Sequence, residues 1–205
     1  MKISKIEPSK HKQGRILVHT EGGDLLRITE RELLQFGLYQ GLDLSPELAE
    51  ELTAAARKSE RRAYAAHLAS SRMLSGKELR DKLKRRDADE EEAEETAEWL
   101  TELGAVDDAA YAGVIVRHYA AMGYGKGRVE QELFHHGIPR DLWEDALAQL
   151  PDPADAIEKF LRRKCKDKPL DRDTSRKLSA ALQRRGFSWN DIRPVLNKLG
   201  QEIEE

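Results

Sequence analysis

The chain has 205 residues, 39% hydrophobic and 36% charged, with 35 Lys and Arg against 38 Asp and Glu for a net charge of −3. That charge density, with aromatics at only 6%, argues against one thick core and for thin helical packing with much solvated surface. No apolar run approaches the ~18 residues of a membrane span, and Met1-Lys2-Ile3-Ser4 opens no apolar signal segment. The single Cys165 excludes an internal disulfide and a cysteine metal cage, so a soluble cytoplasmic protein is expected.

The first segment reads as a small antiparallel meander. Ile3 and Ile6 lie in an opening run, Arg15 to Thr20 alternates around Ile16 and Val18, and Glu21-Gly22-Gly23-Asp24 turns into Leu25 to Ile28. Thr29 should cap a short helix through Phe36 that Gly37 stops. Ser45-Pro46 should open the next helix, with serine at the cap and proline in the first turn, running to about Lys58.

From about Arg57 no strand signal remains, and the pattern repeats. ELRDKLKRRDADEEEAEETAEWL, RVEQELFHHGIPRDLWEDALAQL and KLSAALQRRGFSWNDIRPVLNKL align so that Leu83, Leu133 and Leu182 correspond. The same offsets match Ala93/Thr96/Ala97/Leu100 with Trp143/Ala146/Leu147/Leu150 and Ile192/Val195/Leu196/Leu199, each an i, i+3, i+4, i+7 helix face. Asp87, Gly137 and Gly186 fall where a helix ends in a left-handed residue. Cap positions follow at Asp89, Pro139 and Ser188, with box-like pairs Asp89/Glu92 and Ser188/Asp191. Ser75/Glu78 is a further capping box, and Gly125 is its counterpart in the second block. Leading helices are expected over Ser59–Met73, Asp108–Met122 and Pro153–Lys166, with Asp107 and Asp152 capping the last two, while Pro194 should kink the last helix.

The fold class that results is mostly α. Three tandem three-helix repeats forming an elongated curved solenoid follow a β meander plus helix. The expected divisions are 1–56, 57–105, 106–151 and 152–205.

Motifs that could carry chemistry have structural readings. Asp107-Asp108 suits a helix N-terminus, which takes one carboxylate at the cap and another in the first turn. Gly123-Tyr124-Gly125-Lys126-Gly127 lacks the GK[ST] ending of a phosphate loop and reads as a tight turn between helices. No HExxH or other metal-ligand spacing is present. Lys164 and Lys166 beside Cys165 would lower the thiol pKa, but nothing else suggests a nucleophile. No catalytic, cofactor or metal residue is assigned, and an enzyme is not expected.

Charge is unevenly divided. Asp87 to Glu98 holds eight acids and no base, whereas Ala154 to Leu199 holds thirteen Lys and Arg against six Asp and Glu. That basic run opens at Arg162, Arg163, Lys164, Lys166 and Lys168 and continues through Arg172, Arg176, Lys177, Arg184 and Arg185. It is either a solvated surface or a face that meets something acidic. Arg85-Arg86, His135-His136 and Arg184-Arg185 align across the repeats, and either a solvated helix end or a repeated binding row accounts for them.

The stretches LSGKEL at 74–79, LGAVDDAAYA at 103–112, GYGKGRVEQELFHHGI at 123–138 and RRGFSWNDI at 184–192 resemble the RecX family of recombination regulators across roughly residues 57–199. The first repeat departs, with KRRDADEEE replacing the glycine-containing helix end. The resemblance implies a monomeric, cofactor-free modulator that binds RecA recombinase filaments on DNA and suppresses their ATP hydrolysis, strand exchange and growth, within recombination, DNA repair and the SOS response. Candidate partner-binding residues are Arg162, Arg163, Lys164, Arg184, Arg185, Arg85, Arg86, His135, His136, Tyr124, Lys126 and Arg128. The alternative is a stand-alone, sequence-independent DNA binder touching single- or double-stranded DNA through the third repeat.

Overall fold

The computed structural model describes residues 1–165 and 171–204, with side chains through 200. Lys166, Lys168 and the expected end of a leading helix at Lys166 lie outside the described residues. The chain divides into two compact units, Met1–Arg72 with Arg80–Ala105, and Met73–Leu79 with the described residues from Val106 onward.

In the first unit, β1 (Ile3–Pro8), β2 (Arg15–Thr20) and β3 (Leu25–Thr29) form an antiparallel sheet in the order β1-β2-β3. Ile16 pairs with Ile28 and Val18 with both Ile6 and Leu26, which gathers the apolar side chains on one face. That face shares a core with Leu38, Leu44, Leu52 and Ala56. Such a small sheet has no independent stability and needs this packing. Thr29 caps α1 (Glu30–Gln35) in a reciprocal box with Glu32, and Gly37 follows at φ 58°.

The next helix departs from expectation. One continuous helix, α2 (Pro46–Ser71), replaces two meeting near Lys58 and Ser59. Ser59 does not cap; its hydroxyl donates to Ala56 O and accepts from Arg15 Nη1, while its carbonyl accepts from Arg15 Nη2. No glycine or proline interrupts residues 47–71, so helix propagates through.

The remaining elements are α3 (Gly76–Lys84), α4 (Glu90–Glu102), α5 (Asp108–Ala121), α6 (Lys126–His135), α7 (Trp143–Leu147), α8 (Pro153–Cys165), α9 (Arg172–Arg184) and α10 (Trp189–Glu204). Among the described residues no strand follows Thr29, and the helices run in the order of three three-helix repeats. Leu83, Leu133 and Leu182 are buried, as are the α4 and α10 quartets. Cores of the second and third repeats gather around Val116, Val129 and Ala146, and around Ile157, Leu161 and Ile192. Asp87, Gly137 and Gly186 take φ of 66°, 69° and 88°. The Ser75/Glu78, Asp89/Glu92 and Ser188/Asp191 boxes all form.

The third helix of the second repeat is shorter than its pattern suggested. A 3-10 turn at Arg140–Leu142 leads into the five-residue α7, against 13 residues in α4 and 16 in α10. Pro151 follows Leu150, and a residue before proline is driven out of the helical region, which ends the segment early. Pro194 lies inside α10.

Candidate partner-binding surface

Each aligned basic pair sits at the end of a second helix, and its two members do different things. The second member is locked onto an aromatic ring. Arg86 lies 4.2 Å over the Tyr64 ring. Arg185 lies 5.1 Å over Phe160 and 5.2 Å over Tyr124. His136 meets Tyr111 edge-on at 5.5 Å, with its Nδ1 3.2 Å from both Tyr111 Oη and Glu78 Oε1. Tyr64, Tyr111 and Phe160 belong to the leading helix of their repeats, so this contact ties leading helix to second helix three times. The first members, Arg85, His135 and Arg184, are exposed. Arg86, His136 and Arg185 thus brace their own repeats, with His136 and Arg185 half-buried and Arg86 still exposed.

The joints reuse one geometry. Gly125 N–H donates to Arg185 O and Gly127 N–H to Gly186 O, both at 2.9 Å, so the N-terminus of α6 is capped by the C-terminal carbonyls of α9. A Cβ on Gly125 would fall 2.6 Å from Gly186 O, and one on Gly186 2.2 Å from Arg128 N. Ser75 Oγ likewise donates to His136 O, and a Cβ on Gly137 would fall 2.3 Å from Lys77 Cδ. Each N-terminus offers free N–H groups and each C-terminus free carbonyls, so the dipoles meet head to tail. The glycine-rich stretch at 123–127 is therefore a turn in which the amides of Gly123, Tyr124, Gly125 and Gly127 are already engaged, not a phosphate cradle.

Asp107 caps Ala110 N–H at 2.8 Å, and Asp108 accepts from Gly76 N–H at 2.9 Å, so the acidic pair is structural. Among the described residues, no group of three or more His, Cys, Asp or Glu could hold a metal ion. The expected lowering of the Cys165 pKa is corrected, because the thiol is buried and burial pushes its pKa up.

The candidate basic residues do not form one cluster. Arg162, Arg163 and Lys164 are exposed on the last turn of α8, with Arg162 Nε 2.8 Å from Glu158 Oε1. That hydrogen bond is the main reason the Glu158 carboxyl titrates below its ordinary range. Lys126 reaches Glu130 at 3.9 Å, and Arg128 pairs with the buried Glu132. Tyr124 is half-buried, 5.7 Å from the Tyr119 ring. Burial first, then a hydrogen bond to Glu132, raises the Tyr119 pKa.

Part of the acidic run of α4 is paired inside its own unit. Glu92 meets Arg61 at 2.9 Å, Glu94 meets Arg80 at 3.1 Å, and Glu95 meets both Lys58 and Arg62. Sequence reasoning passed over Arg193 and Trp189 on α10, which line one groove with Arg172 and Arg176 of the basic run; Trp189 is 48% exposed. An exposed tryptophan among arginines was the available signal.

Family models for the RecX first, second and third three-helix domains match residues 62–100, 107–147 and 152–196. A Regulatory protein RecX from Lactobacillus delbrueckii subsp. bulgaricus is 30% identical over 208 residues, spanning 99% of this chain and 76% of the relative. A Regulatory protein RecX from Xanthomonas campestris pv. campestris is 36% identical over 121 residues, 58% of this chain and 75% of the relative. A crystal structure of regulatory protein RecX superposes with a TM-score of 0.76 at 28% identity, covering 96% of this chain and 98% of the other.

Proposed function

The chain belongs to the RecX family of regulatory proteins, and from that premise we propose that it binds RecA recombinase filaments on DNA and inhibits their ATPase, strand exchange and extension. It acts as a cytoplasmic monomer in recombination, DNA repair and the SOS response. The functional modules are 1–56, 57–105, 106–151 and 152–205.

One observation carries the reading. All three repeats spend the second basic residue on an internal aromatic contact and leave the first, Arg85, His135 or Arg184, facing outward. Repeated modules, each with a modest contact, suit a partner that is itself a repeating assembly, because linked weak contacts add through effective concentration. Inhibition is then steric and electrostatic: occupied filament subunits cannot accept the next subunit or move the strand. Anisotropy with labelled filaments tests this, since affinity for recombinase on DNA should far exceed that for free recombinase. Equal affinities refute multi-subunit engagement.

A second reading has its own support. Arg172, Arg176 and Arg193 around Trp189 suit sequence-independent contact with nucleic acid, in which arginines meet phosphates and an indole stacks on a base. Affinity for DNA alone would then fall steeply with salt, and a flat dependence removes it.

A further inference from the structure

We propose that the groove beside Phe134 docks an acidic polypeptide segment carrying an aromatic or aliphatic anchor side chain. The inference rests on the proposed function in one respect, that the recombinase supplies the segment.

Phe134 is 68% exposed on α6. Its counterparts by the repeat offsets are Lys84 and Gln183, both exposed and both polar. The second repeat alone thus places a large apolar side chain where its siblings are hydrophilic, and neither helix periodicity nor core packing requires it there. The short α7 leaves a cavity of about 950 Å³ beside it, with Phe134, Ile138, Pro139 and Trp143 among its walls. Trp143 is fixed by a 3.0 Å hydrogen bond from its Nε1 to Ile138 O, so one wall is preorganised.

The rim is basic. Lys77, Arg128, His135 and Arg140 line the groove against one acid, Glu132, which is buried and paired with Arg128. Arg140 lies 4.8 Å over the Trp143 ring. In the first repeat the positions of Arg128, Gln131 and Arg140 hold Glu78, Asp81 and Glu90, whereas the third repeat keeps a cation, Lys177, at the position of Arg128. Charge complementarity therefore selects an acidic occupant, and the apolar walls select one with an apolar side chain. A nucleic-acid strand fits less well, because Phe134, Ile138 and Pro139 offer a phosphodiester backbone nothing to pair with.

The test compares the wild-type chain with Phe134→Gln, which installs the residue of the third repeat, and with Arg140→Glu. The probes are a fluorescein-labelled Asp/Glu peptide with one central Phe, the same peptide with Ser for Phe, and labelled oligo(dT), all read by anisotropy. Recombinase ATPase on single-stranded DNA is measured in parallel. Phe134 is exposed, so its variant should match wild type in circular dichroism. Wild type should bind the Phe peptide, and either substitution, or the Ser peptide, should weaken binding about tenfold or more. Oligo(dT) binding should be unchanged in Phe134→Gln, and its inhibition midpoint should rise by a similar factor. No binding of the Phe peptide, equal binding by Phe134→Gln, or a selective loss of oligo(dT) binding overturns the proposal. Equal inhibition by wild type and Phe134→Gln overturns the groove while leaving the regulatory reading intact. Peptide binding through Phe134 without any ATPase inhibition removes the recombinase reading and leaves the groove.

Discussion

Alanine at Gly186 should damage the second unit far more than alanine at Gly123, although both glycines have positive φ. At Gly123, with φ 75°, the nearest atom to an added Cβ is Arg185 Nη1 at 3.6 Å, an ordinary contact. Its cost is the left-handed backbone alone, about 1–2 kcal/mol. At Gly186, with φ 88°, the added Cβ falls 2.2 Å from Arg128 N and 2.8 Å from Arg128 Cβ. Backbone cannot swing aside as a side chain can, so the end of α9 must separate from the start of α6. Gly125 N–H and Gly127 N–H then lose Arg185 O and Gly186 O, adding about 1 kcal/mol for each bond. The sum is about 3–4 kcal/mol. In urea, with a slope of ~1–1.5 kcal/mol/M for a unit this size, the two variants should differ in midpoint by about 1–2 M. Amide exchange at residues 125 and 127 should quicken in Gly186→Ala only. Equal midpoints with unchanged exchange would show that the joint does not bear on stability.

The paired basic residues give the next expectations. Arg185→Ala removes hydrogen bonds to Met122 O and Gly123 O and contacts with two rings, so it should cost about 2 kcal/mol in denaturation. Arg184→Ala should stay within about 0.5 kcal/mol. Charge reversal at Arg162, Arg163 and Arg184 should leave circular dichroism unchanged and weaken recombinase inhibition; full inhibition refutes a role for that face. The Glu95 carboxyl lies below its ordinary value of 4.5, chiefly through its hydrogen bond from Lys58. A lowered folded pKa gives stability that is complete above that value and is lost as pH falls through the folded one. The thermal midpoint of Glu95→Gln should therefore fall less than wild type between pH 6 and 3, and parallel slopes refute the linkage.

Local rules carried the sequence reading where the partners are close in the chain. Thr29 with Glu32, Asp89 with Glu92 and Ser188 with Asp191 are three residues apart, and left-handed ends at Asp87, Gly137 and Gly186 follow from their own backbones. Where distant residues decide, the reading failed. A leading helix was expected to begin at Ser59, but α2 runs through it, and Arg15, 44 residues away, engages both its hydroxyl and its carbonyl. The basic pairs read as either solvated helix ends or one repeated row, and neither reading foresaw that each second member meets an aromatic on another helix. Phe134 passed unremarked in an aligned block, because its meaning lies in its exposure and in the groove that the short α7 opens.

The central claim is that this chain restrains an assembled recombinase. RecA ATPase on single-stranded DNA, titrated with the chain, tests it most directly. Turnover should fall with added protein to a low plateau, at concentrations well below those at which the chain binds DNA alone. Unchanged turnover, or inhibition that merely tracks occupancy of free DNA, would contradict it.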